Sequence, residues 1–93
     1  MFKPQEIKRV NKIFKSLGNE RRLKILSLLL GEGPMSVSEI SEKINFSLKS
    51  TSKHCIILDR AGLVEGRQIG LNRIYDIDDE VRKLLVFFFQ KFT

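Results

Sequence analysis

Cys55 and His54 are the side chains of this 93-residue sequence best suited to metal or thiol chemistry, and they are neighbours. Successive helical residues point about 100° apart, so on a helix this pair cannot chelate one ion together. No other cysteine or histidine is present, so no Cys/His cluster with metal-ligand spacing exists and no metal or cofactor is expected. Asp76, Asp78, Asp79 and Glu80 could hold a hard cation, but three of them open an apolar-periodic stretch and read better as helix caps. A single histidine, no Gly-rich phosphate loop and no nucleophile with a recognisable base argue against an enzyme.

A different chemistry is concentrated in Phe46–Gly62, FSLKSTSKHCIILDRAG. Its first two turns carry Ser47, Lys49, Ser50, Ser52, Lys53 and His54, while Thr51, Cys55 and Leu58 recur at i, i+4 and i+7 on one helical face. Lysines release counterions from phosphate, and hydroxyls make short bonds to phosphate or base edges. The segment therefore suits insertion into a DNA groove, although a solvated surface helix has the same pattern. Cys55 falls on the inward stripe and reads as a small core residue.

The surrounding elements decide between these readings. Pro4 and the Ile7, Val10, Phe14, Leu17 spacing predict a helix over about 4–17, ended by Gly18. Lys8, Arg9, Lys12 and Lys15 lie on its outer face and read as solvated. Asn19 caps a second helix from Glu20 to about Leu30, apolar nearly all round and hence central, with Gly31–Pro34 as the following turn. Ser36-Val37-Ser38-Glu39 is a capping box opening a short helix over 37–44. Asn45-Phe46 then connects it tightly to a helix over 48–61, the layout of a helix-turn-helix over 37–61.

After Gly62 the period changes. Leu63–Ile69 and Arg73–Ile77 read as strands joined through Gly70-Leu71-Asn72, a hairpin with Arg67 and Arg73 near its tip. A hairpin placed there is a wing, spanning about 63–77. The last helix runs over about 79–92, with Val81, Leu84, Leu85, Phe88 and Phe92 on one stripe and Val86, Phe87 and Phe89 off it. One small core cannot bury two apolar faces of a terminal helix, so a second copy of the chain is expected to cover the excess.

Composition is consistent with this plan. Seventeen Lys and Arg against eleven acids give a net charge of +6, which favours an acidic partner such as nucleic acid. Eight of the cations fall in residues 1–24 and five in residues 49–73. The longest apolar run, Leu84–Phe89, has six residues, far short of the ~20 a spanning helix needs. No membrane partner is expected. The lone cysteine excludes an internal disulfide and no secretory signal opens the chain, so a cytoplasmic location is expected.

The order of elements resembles the ArsR-type winged-helix repressors. The resemblance rests on Leu17–Leu26 entering the second helix, on Ser36–Ile40, and on Ser50-Thr51-Ser52-Lys53-His54 followed by Leu58 and Ala61–Val64, with Gly70 and Tyr75 fitting the wing. It covers about residues 14–77. It implies a mainly α fold with a small β-hairpin: a winged helix-turn-helix of about five helices and a two-stranded antiparallel wing, as one domain over 1–93. It further implies a homodimeric transcriptional regulator, expected to repress, that binds double-stranded DNA at an inverted repeat. By resemblance Lys49, Ser50, Ser52, Lys53 and His54 would touch DNA, as would Arg67 and Arg73 of the wing. The terminal helices would form the dimer interface, through Ile7, Val10, Phe14, Leu85, Phe88, Phe89 and Phe92. The cysteines near Val37–Ile40 and the histidines of the last helix that metal-sensing members use are missing. The alternative from another class is a winged-helix module for protein–protein assembly, which would favour exposed apolar or acidic residues on the recognition helix.

Overall fold

A computed structural model describes all residues, Met1–Thr93. Five helices, α1 (Pro4–Leu17), α2 (Glu20–Glu32), α3 (Val37–Ile44), α4 (Leu48–Arg60) and α5 (Asp79–Lys91), surround a small sheet. The strands are β1 (Met35–Ser36), β2 (Val64–Ile69) and β3 (Asn72–Ile77), antiparallel in the order β1-β3-β2. The fold is a winged helix-turn-helix, as expected, with one strand more than the sequence suggested.

The extra strand pairs Met35 with Tyr75 and Ser36 with Ile74. Nothing local marks it: two residues after a proline become a strand only because β3 offers them a ladder. Two boundaries also move. Helix α2 continues through Gly31 to Glu32 and stops at Gly33, which takes φ +85°. An interior glycine costs a helix about 1 kcal/mol relative to alanine, too little to end one whose neighbours are buried. The wing turn tightens to Gly70-Leu71, leaving Asn72 paired with Ile69 in the ladder.

Ile25, Leu26 and Leu29 of α2 are completely buried, and Ile40, Leu58, Cys55, Val64, Tyr75, Ile77 and Leu85 gather round them. The apolar girdle read from the sequence is therefore the post on which the other elements lean. In α3 the Ser36 hydroxyl accepts from the Glu39 amide at 3.1 Å while the Glu39 carboxylate accepts from the Ser36 amide at 3.0 Å. These bonds hold the Glu39 carboxyl below its ordinary pKa. Asn45 then turns the chain in the left-handed conformation, φ 58°, which asparagine tolerates better than most residues.

Helix α5 packs differently from the stripe expected. Val81, Leu85 and Phe89 face the core, at i, i+4 and i+8, whereas Leu84 is 52% exposed. Phe89 thus belongs to the inward stripe, and Leu85, only 2% exposed, is a core residue of the protomer. An interface could reach Leu85 only as the floor of the groove between α1 and α5.

Because Leu29 is enclosed on every side, Leu29→Ala should lower unfolding free energy by about 2–5 kcal/mol. Urea titration checks this; an unchanged midpoint would mean α2 is not the post of the core.

Candidate nucleic-acid interface

The rotation of α4 about its own axis decides what it presents. Ser47 caps the helix, its hydroxyl accepting from the Ser50 amide at 3.1 Å. Thr51, Cys55 and Leu58 are buried against the core, so the opposite side carries Lys49, Lys53, Ile56 and Arg60, all exposed, with Ser52 half-buried between them. Ile56 and Arg60 were missed by the residue-type argument. The inner stripe was the signal that could have found them, since 49, 53, 56 and 60 repeat its i, i+4, i+7 arithmetic one face round. Burial pushes the Cys55 thiol up to about 12, which leaves it an inert packing group.

His54 is half-buried on the flank facing α2. Its Nδ1 lies 3.4 Å from Arg22 Nη1, and Ser50, one turn earlier, shares that flank. Arg22 also donates Nε–H to the Ser16 carbonyl at 2.7 Å and Nη2–H to that of Lys15 at 3.3 Å. One guanidinium therefore closes the C-terminal end of α1, on α2, and reaches α4. Accepting from Arg22 requires a neutral imidazole with its proton on Nε2. Partial burial, then the positive charges of Arg22 and Arg21, hold the His54 pKa below its ordinary value. His54 is thus engaged with α2 through Arg22, a partner that its expected role as a DNA contact did not include. Beside it, the Arg21 guanidinium stacks 3.8 Å over the Phe46 ring and pins the helix-turn-helix turn to α2.

The two wing arginines point to opposite faces. Register pairs Arg67 with Ile74 and Gln68 with Arg73, so strand alternation sends Arg67 outward and Arg73 to the side of Tyr75 and Ile77. Arg73 Nη2 lies 3.7 Å from Asp59 Oδ2 of α4, and the guanidinium sits 5.7 Å from the Tyr75 ring centre. Gly66 makes room for it: a Cβ there would lie 2.6 Å from Tyr75 Cε1 and 2.8 Å from Arg73 Nη2. Arg67 remains exposed and unpaired, whereas Arg73 fastens the wing to the end of α4. The sequence places both arginines near the tip; the register adds that they lie on opposite faces of the wing.

The His54 shift fixes a pH dependence. With the folded pKa below the unfolded one, the unfolded chain binds the proton more readily, so stability is full above about pH 6.5 and falls as pH drops through the folded value. His54→Gln should flatten the change in melting temperature between about pH 7 and 5; an unaltered slope would place the titration elsewhere.

The profile for bacterial regulatory proteins of the arsR family matches residues 19–66, which hold α2, the helix-turn-helix and the start of the wing. An HTH-type transcriptional regulator of Methanocaldococcus jannaschii is 34% identical over 82 residues, covering 87% of this chain and 92% of that protein. The transcriptional repressor SdpR of Bacillus subtilis is 35% identical over 72 residues, 77% of this chain and 79% of its own. A homodimeric winged helix-turn-helix DNA-binding domain of Mycobacterium bovis, described as a possible ArsR-family regulator, superimposes with a TM-score of 0.82 at 32% identity, covering 92% of this chain and 79% of that one. With a profile match over residues 19–66 and relatives this similar over most of their length, this chain belongs to the ArsR family of transcriptional regulators.

Proposed function

We propose that the protein is a homodimeric repressor that reads an inverted repeat in double-stranded DNA through the outward face of α4 and the wing. The observation that carries this reading is that face itself: Lys49, Lys53 and Arg60 are exposed, form no ion pair and meet no acidic residue. Asp59, the one acid of α4, is half-buried and already paired with Arg73. An assembly surface for an apolar partner gains nothing from three unneutralised cations, whereas each of them releases counterions from a phosphate backbone. Ser52 lies between them as a short hydrogen-bonding group. Ile56 sits at the centre of the same face, suited to contact a thymine methyl. Arg67 on the outer face of the wing can follow the adjacent backbone.

Dimerisation is supported by a second exposed surface. Ile7, Val10 and Phe14 project from α1, Leu84 and Phe87 from α5, and Phe92 from its C-cap, with Phe88 half-buried and stacked 6.2 Å from Phe92. A patch of this kind is costly to leave in water, and a two-fold arrangement of recognition helices is what an inverted repeat requires. The dimerisation elements are thus α1 and α5 of the winged-helix domain. Repression needs only occupancy, because a dimer seated across a promoter excludes polymerase. No three His, Cys, Asp or Glu side chains of the protomer converge. No helix is long and apolar enough to cross a membrane.

Selection of bound duplexes from a random pool should return a palindrome with half-sites about one helical turn apart. Against that site, Lys49→Ala with Lys53→Ala should weaken binding and flatten log affinity against log salt by roughly one unit per lost phosphate contact. An unchanged slope would remove α4 from the interface. For the dimer, Phe87→Glu is the informative variant, because Phe87 is 57% exposed and outside the protomer core. Sedimentation should show it monomeric with its fold retained; a wild-type chain that is itself a stable monomer would overturn the proposal.

A further inference from the structure

We infer that the basic face of α1 is a second phosphate-binding strip, which continues the DNA surface of α4 along the duplex backbone. Lys8, Lys12 and Lys15 occupy i, i+4 and i+7 of α1, so they form one stripe. They share a groove with Arg22 and with Arg60 of α4, and a second groove beside it joins Lys8, Lys12 and Arg60 to Arg9. Neither groove is lined by an acid. The ion pairs of the protein, Lys43–Glu32, Arg73–Asp59 and Arg82–Asp76, leave all six of these cations unpaired.

Solvation alone is a poor account of the arrangement. Like charges at i and i+4 repel and weaken the helix that carries them. A plain surface helix is improved by interspersing Glu, yet none falls among Lys8, Lys12 and Lys15. Complementing the dipole of α1 would explain Lys15 in the last turn, but not Lys8 and Lys12 further back. A bound polyanion reverses the sign of the effect, turning mutual repulsion into shared attraction for a row of phosphates. Position selects the polyanion. Arg60 ends the outward stripe Lys49, Lys53, Ile56, Arg60 and also lines both α1 grooves. A duplex lying on α4 therefore meets the α1 strip through a residue common to both. The apolar face of α1, Ile7, Val10 and Phe14, lies on the other side of the helix, so the proposed dimer leaves the strip open.

The strip deepens the DNA-binding reading and rests on it. Lys8→Ala with Lys12→Ala removes two charges from an exposed helix side without a packing loss. Lys83→Ala with Lys91→Ala, both exposed on α5, is the charge-matched control, compared at concentrations where sedimentation shows every variant to have the oligomeric state of the wild-type chain. On the selected duplex the α1 pair should weaken binding roughly tenfold or more at low salt and lower the salt slope by about one to two units per protomer. The α5 pair should change little. The base preferences of the half-site should be unaltered, because phosphate contacts carry no sequence information. If the α1 variant matches the α5 control in slope and affinity, the strip is overturned while the α4 reading stands. If the wild-type chain binds no duplex above random affinity, the DNA reading falls and the strip with it.

Discussion

The burial of Thr51, Cys55 and Leu58 is the constraint on which the rest of the interface depends. These three fix the rotation of α4 as firmly as the core is packed, and each lies at 1% exposure or less. Everything on the opposite side follows without further specification, including the spacing of Lys49, Lys53 and Arg60. The arrangement has a cost. Thr51 Oγ1 is buried with no hydrogen-bond partner in the protein, and such a group gives up about 1–3 kcal/mol of solvation.

Rotation alone does not set the depth or tilt of a recognition helix, and here the arginines divide into two kinds. Arg21, Arg22 and Arg73 are structural ties: the first to the Phe46 ring, the second to two α1 carbonyls and His54, the third to Asp59. They brace α4 from the turn, from α2 and from the wing. Arg60 and Arg67 are unpaired and point into solvent. Exposed pairs such as Arg73–Asp59 contribute little to stability, about 0–1 kcal/mol. Their value here is positional, since a wing that swung free would carry Arg67 with it.

The sequence was most legible where one local rule governs one element. Pro4, the Ser36–Glu39 box, the inner stripe of α4 and the acids at Asp78–Glu80 marked helices that lie where they were expected. Beyond two boundaries that moved by a residue or two, what the sequence did not show is long-range. Strand β1 exists because of Tyr75 and Ile74, about forty residues away. The resemblance offered His54 and Arg73 as DNA contacts, but not their partners in the fold, Arg22 and Asp59, which no local window contains. In α5 seven of the nine residues from Val81 to Phe89 are apolar, with Arg82 and Lys83 the only polar landmarks. With apolar residues nearly all round, periodicity could not choose between Leu84 and Phe89 for the core; only the position of α2 could.

Helix α1 shows how the two proposed interactions can coexist in so small a chain. It turns Ile13, Ser16 and Leu17 toward the core, Ile7, Val10 and Phe14 to one side, and Lys8, Lys12 and Lys15 to the other. Had the basic and apolar sets been interleaved, a dimer through α1 would bury unpaired ammonium groups, each costing several kcal/mol, and association would oppose DNA binding. Segregation removes that conflict. A dimer formed through the apolar side brings two basic strips and two recognition helices into one assembly and doubles the charge available to the duplex. The electrostatic repulsion this creates between protomers is relieved by the same phosphates that bind them. In that arrangement DNA strengthens the dimer, and by linkage the dimer strengthens binding to DNA.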